Sequence, residues 1–211
     1  MNTFSAGSCI RFGWETFKKR PWFLIGAYLL LFIVVGVVTS LLGEWTKEGG
    51  INAILAVLVR IAFELLVGIG SISFALKAHD DVASVSLSDF WHPRSFWSYV
   101  GASFLAGIII IIGLILVIIP GIIWALMFGL AGYLVVDKTL GPIEALKESK
   151  RITYGNRWEL FLLGILTILV MILGVICLLV GVLVAYPVCA IAVVHAYRTL
   201  SHNAASSTPA I

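Results

Sequence analysis

The chain has 211 residues, of which 61% are apolar or aromatic and only 12% charged, with a formal net charge of +3. A soluble fold covers its surface with polar groups and carries about 25% charged residues, so this composition excludes a water-soluble enzyme and a nucleic-acid-binding domain. What remains is an all-α, polytopic membrane protein, because the apolar runs lack the two-residue alternation of barrel strands.

In chain order, residues 5–19 come first. Ile10, Trp14 and Phe17 recur at helical spacing, opposite Arg11, Glu15 and Lys18, which predicts an amphipathic helix lying along the interface. The run 22–42 follows Lys18-Lys19-Arg20 and superficially looks like a signal peptide. It is longer than the roughly 7–15 residues of such a core, so a retained first span is predicted. The second span is 51–76. The apolar stretch 99–136 exceeds one crossing of about 20 residues, and Pro120-Gly121 divides it into spans 97–118 and 120–136.

Residues 142–154 predict a second interfacial helix. Pro142 occupies a first helical position, Glu144 its first turn, and Gly155 its end. Ala145, Ser149 and Ile152 form its small and apolar stripe. A break near Gly181 separates spans 158–179 and 182–200, and 201–211 reads as a flexible tail. The expectation is one six-span domain over residues 1–200.

Six spans put both termini on one side of the membrane. Twelve of the 14 basic residues then fall on that side; Lys47 falls opposite and Arg60 within a span. Basic residues in short loops set topology, which predicts both termini in the cytoplasm. The positive charge is accounted for by orientation and attraction to anionic headgroups, with no nucleic-acid partner. Trp14, Trp22, Trp91, Trp97 and Trp158 fall at predicted inner boundaries and Trp45 at an outer one, where an indole is favoured.

Spans one, three and five begin alike: Arg20/Trp22/Gly26, Arg94/Trp97/Gly101 and Arg157/Trp158/Gly164. The first and third units align further without a gap, pairing Gly26 and Gly36 with Gly164 and Gly174. The pattern predicts three hairpins repeated in parallel, unlike the inverted repeats of many transporters.

Arg60 and Glu64 lie near the middle of span two. A central charge costs about 2.5–3.5 kcal/mol and each Leu, Ile, Phe or Val offsets roughly 0.3–0.6. With fifteen such residues in 51–76, the helix is near balance alone and depends on neighbours. The two side chains share a face and pair. That face continues as Ala53, Ala56, Gly68, Ser71 and Ala75, a stripe of small and polar residues expected to face the bundle interior. Either the pair fixes helix register, or it lines a polar site for a headgroup, ion or proton. Tyr28, Tyr133, Tyr186 and His195 are the candidates to join it, with Pro187 beside Tyr186 loosening span six.

Other chemistry is sparse. His79, His92, His195 and His202 are scattered, and no metal, phosphate-loop or cofactor motif is present. No cofactor is expected. Cys9, Cys177 and Cys189 read as small packing residues, and Asp80-Asp81 as a solvated acidic pair.

The stretch LVIIPGIIWALMFGLAGYLVVDKTLGPIEALKESKRITYGNRWELFLLGIL, with YPVCAIAVVHAYRTL after it, resembles an uncharacterised family of bacterial and archaeal membrane proteins. That family is related to the membrane domain fused to some glycerophosphoryl diester phosphodiesterases. The resemblance spans about residues 65–200 and rests on Pro120-Gly121 at a hairpin, Asp137 at the inner end of span four, Ala145, Ser149 and Gly155 in the interfacial helix, and Tyr197. Gly13-Trp14 is more loosely similar, and Tyr186-Pro187 reverses the expected order. The resemblance implies six helices and placement in a prokaryotic cytoplasmic membrane; phosphodiesterase chemistry belongs to a separate soluble domain.

The functional expectation is a non-enzymatic membrane protein acting through association with membrane lipids or a protein partner, as accessory subunit or scaffold. The alternatives are a small transporter or channel centred on Arg60 and Glu64, and a membrane-embedded enzyme acting on lipids.

Overall fold

A computed structural model describes residues 4–47, 49–91, 95–177 and 180–206, and no strand occurs among them. The helices are α1 Ala6–Lys19, α2 Pro21–Lys47, α3 Gly50–Asp80, α4 Phe96–Leu116, α5 Ile118–Phe128, α6 Ala131–Lys138, α7 Pro142–Thr153, α8 Arg157–Ile176 and α9 Val180–Ser206, with a 3-10 turn at Leu87–Phe90. Six stretches are long and apolar enough to cross a membrane: α2, α3, α4, α5 and α6 together, α8 and α9. The protein is therefore a multi-pass membrane protein. Arg94 and His92, the end of the fifth expected span and the last residues of the tail lie outside the described residues.

Local chemistry explains several helix ends. Lys18 and Lys19 sit in the last turn of α1 and Lys150 and Arg151 in that of α7, where a cation meets the negative end of the helix dipole. Pro142 opens α7, and Gly155 beyond its end has φ +83°, a conformation open to glycine and costly for other residues. Before the 3-10 turn, the Ser86 N–H donates to Asp89 Oδ2 at 2.8 Å. That turn lies flat on α3 because Gly70 has no side chain to meet the Phe90 carbonyl.

Two boundaries differ from expectation. The α4–α5 turn falls at Val117, whose backbone is extended (φ −160°, ψ 140°), before the expected Pro120-Gly121. Pro120 lies in the first turn of α5, where no N–H is needed for the helix. Gly121 lies inside α5, where an added Cβ would meet the Leu114 side chain and backbone N at 2.5–2.7 Å. The pair thus lets α5 start and pack closely; it does not form the turn. At the other end of the chain, α9 continues to Ser206 through residues expected to be tail, and passes Pro187 without a break.

The core is built around α9. Val188, Ile191, Ala192, Val194, Ala196, Tyr197 and Leu200 are at most 3% exposed, and α1, α2, α3, α7 and α8 all pack on this helix. Of the apolar windows, 44% of α9 and 39% of α5–α6 is buried, against 17% for α2, α3 and α8 and 11% for α4. The last four therefore leave most of these windows unburied by the rest of the chain.

The expected stripe on α1 is displaced. Ala6, Cys9, Gly13, Thr16 and Phe17 are buried, whereas Trp14 is exposed and Ile10 only half-buried. The reason is close approach: an added Cβ at Gly13 would run into the Val188 carbonyl and Ala192 of α9. In α7 the expected stripe holds, with Ala145, Ser149 and Ile152 all buried.

Consecutive helices pack as α2 on α3, α4 on α5 and α8 on α9. The glycines matched between the first and third units share no packing role. Gly26, Gly36 and Gly164 face open space, while Gly174 is pressed against Gly181 and Ala185.

Candidate functional site

Arg60 and Glu64 pair as expected, Arg60 Nε donating to Glu64 Oε1 at 2.9 Å. Their position is a correction: the side chains are 53% and 52% exposed, not enclosed in the bundle. Ser71 lies eleven residues beyond Arg60, about 20° away around an ideal helix and about 16 Å along it. Yet Ser71 is covered by Tyr186 and Arg60 is not. Both lie on one face of α3, and that face is also covered at Ala56, which is 1% exposed. Neighbouring helices therefore enclose the small residues of this face, while the long Arg60 and Glu64 side chains stand half-exposed in the half of α3 farther from Asp80.

Next to the pair, in the half of α3 nearer Asp80, the same face opens on a cavity of about 360 Å³, lined among others by Gly68, Ser71, Tyr99, Tyr133, Thr167 and Tyr186. Tyr133 and Tyr186 thus converge, but on Ser71 and Tyr99 rather than on the ion pair. The Ser71 and Tyr186 hydroxyls lie 3.4 Å apart. Tyr99, which sequence reasoning did not single out, is cradled by Gly68 and Gly132; a Cβ on either would come within 3.0 Å of it. These glycines are far apart in sequence, so no local spacing signals their meeting. Tyr28 is fully buried against Phe74 and Tyr186, and its hydroxyl has no hydrogen-bond partner among the described residues.

His195 belongs to a different cluster, where basic and acidic residues gather at one end of the bundle. His195 Nδ1 and His79 Nε2 share a hydrogen bond at 3.1 Å, and His79 Nδ1 lies 3.0 Å from Asp80 Oδ1. Arg198 bridges two carboxylates, donating from Nη2 to Asp80 at 2.6 Å and from Nη1 to Asp137 at 3.0 Å. The Tyr197 hydroxyl donates to Asp137 Oδ2 at 2.6 Å. Asp137 and Tyr197, singled out by the resemblance, are thus direct partners. Asp80, expected to be solvated, is half-exposed but fixed in the same network, which ties α3, α6 and α9 together. Phe12 of α1 stacks on His195 with ring centroids 4.1 Å apart.

Other contacts close this end. Arg20 donates to the carbonyls of Val82 and Ala83, Lys138 to Ser201, and Glu159 accepts the N–H of Ala6. Ser149 donates to the Met127 carbonyl at 2.7 Å, which seats α7 on α5. Burial pushes the Cys9 thiol up to about 11, so it stays protonated and inert, in keeping with a packing residue. No group of three or more metal-ligating side chains occurs among the described residues.

Fold and site define a six-span, all-helical membrane protein with one densely bonded end. The chain belongs to the DUF975 family, a protein family of unknown function, whose model it matches over residues 52–204. It is also similar to uncharacterized protein Rv2560 of Mycobacterium tuberculosis and uncharacterized protein Mb2590 of Mycobacterium bovis. Each is 27% identical over 156 residues, covering 74% of this chain and 48% of the relative. The chain thus spans about half the length of the curated relatives it matches. No solved structure matches it.

Proposed function

We propose that this protein works by association within the membrane, as an accessory subunit or scaffold and not as a catalyst. The observation that carries this reading is the half-exposed Arg60–Glu64 pair, ten to fifteen residues inside a span that begins at Gly50. Facing lipid, each charge costs about 2.5–3.5 kcal/mol. One mutual hydrogen bond leaves most of the guanidinium donors unused. A protein partner on this face supplies acceptors and covers the bare apolar surface around Ile54, Leu58 and Ile61.

The same reading places both termini in the cytoplasm, in the cytoplasmic membrane, supported by the twelve basic residues assigned to one side. It also takes membrane lipids as partners and keeps a kinship with the membrane domain of glycerophosphoryl diester phosphodiesterases, supported by Pro120-Gly121 and the Asp137–Tyr197 bond. The test is photo-cross-linking in native membranes from a reactive residue at Ile61, with a second at buried Leu134. Protein adducts from position 61 alone are expected; none from either, or equal yields, sink the association reading.

The tyrosine-lined cavity favours a second reading, a small transporter or channel. A half-open, mainly apolar cavity of about 360 Å³, with Ser71, Tyr99, Tyr133 and Tyr186 in its lining, falls within the size range of small-molecule sites, and Tyr28, whose hydroxyl lacks a partner among the described residues, packs against Tyr186. Flux into proteoliposomes, abolished by Tyr186→Phe or Tyr133→Phe with folding intact, would establish this reading over the first.

A further inference from the structure

A groove of about 470 Å³ runs between α5 and α8 on the outside of the bundle. Ile119, Ile122, Ile123 and Leu126 line it from one face of α5, and Trp158 and Phe161 line it from α8. The positions i, i+3, i+4 and i+7 on α5 make a continuous apolar stripe. The remaining lining residue is Arg157, the first residue of α8.

Arg157 differs from the other arginines around it. Arg151 pairs with Glu148, and Arg198 with Asp80 and Asp137. Arg157 forms no ion pair or hydrogen bond with any described residue, and its Nε is buried without a partner. The Tyr154 ring lies 5.7 Å from its guanidinium carbon. A guanidinium offers five N–H donors in a planar fork suited to phosphate oxygens, and a buried donor left unmade costs about 1–3 kcal/mol. Trp158 beside it is 68% exposed, as an indole at the headgroup level is.

We propose that this groove is a binding site for an anionic phospholipid, with one acyl chain along the α5 stripe and Phe161 and the phosphate on Arg157. The apolar wall receives the chain, the unpartnered guanidinium donates to the phosphate oxygens, and its charge, with no carboxylate in the groove lining to offset it, favours an anionic headgroup over a zwitterionic one whose ammonium it repels. The inference rests on the membrane reading of the chain and deepens the association reading by naming a lipid class. It does not depend on Arg60, Glu64 or a protein partner.

The test is native mass spectrometry of the full chain titrated with phosphatidylglycerol or phosphatidylcholine of equal acyl length. Wild type is expected to retain one phosphatidylglycerol at an affinity about tenfold above phosphatidylcholine. Arg157→Gln is expected to lose that preference, Arg157→Lys to keep part of it, and Arg11→Gln, on an exposed face of α1, to leave it intact. Ile122→Trp fills the groove without touching the charge and is expected to lower retention of both lipids. Equal binding of the two lipids by wild type, or an unchanged preference in Arg157→Gln or retention in Ile122→Trp, overturns the site. Lipid adducts are read on the monomer peak, so loss of a protein complex would count against the association reading and leave this one standing.

Discussion

The end of the bundle that gathers Asp80, Asp137 and Arg198 and the more exposed half of α3 follow opposite rules. At the first, α9 is enclosed, three helices are tied through two carboxylates and one arginine, and small residues let backbones touch. At the second, Ile51, Ile54, Leu58 and Ile61 of α3 are 49–73% exposed and a charged pair stands among them. The contrast teaches that this chain stabilises itself from one end and leaves the rest of its surface to the membrane and to whatever binds there.

The comparison breaks most readily at Gly13. Gly13→Val would drive a side chain into the α9 backbone and is expected to cost about 3 kcal/mol, read as a collapse of the thermal transition in detergent. Asp137→Ala strips Arg198 and Tyr197 of a shared acceptor and should cost nearly as much, about 3 kcal/mol by the same assay. Gly155→Ala must hold φ +83° with a Cβ, at about 1 kcal/mol. Leu58→Ala, at a side chain 57% exposed on α3, should shift stability by no more than about 0.5 kcal/mol. A large loss there, or a small one at Gly13, would erase the distinction between the two regions.

The six spans were legible because composition and run length alone decide whether a helix can sit in lipid. The α7 stripe was legible too, since Pro142, Glu144 and Gly155 mark its ends and its buried face is continuous. On α1 the reading failed because Ala6, Cys9, Gly13 and Thr16 carry little hydrophobic signal. They are buried for their smallness, while Trp14, with the strongest signal, projects outward.

The Arg60–Glu64 bond was legible from spacing, but its exposure was not, because that depends on where neighbouring helices stop covering α3. Pro120-Gly121 drew attention as a turn signal, and only the extended backbone at Val117 locates the turn. Tyr99 and the Asp137–Tyr197 bond depend on contacts between residues distant in the chain. Periodicity within one helix does not report these.

The proposal that Arg60, Glu64 and the exposed apolar side chains around them on α3 form an association surface is tested most directly by native mass spectrometry of the protein extracted from its own membrane, wild type beside the Arg60→Leu/Glu64→Leu double variant. The account expects an assembly heavier than the monomer for wild type and a folded, thermally unchanged monomer for the variant. A wild type that is monomeric on extraction, or a variant that keeps the same assembly, would contradict it.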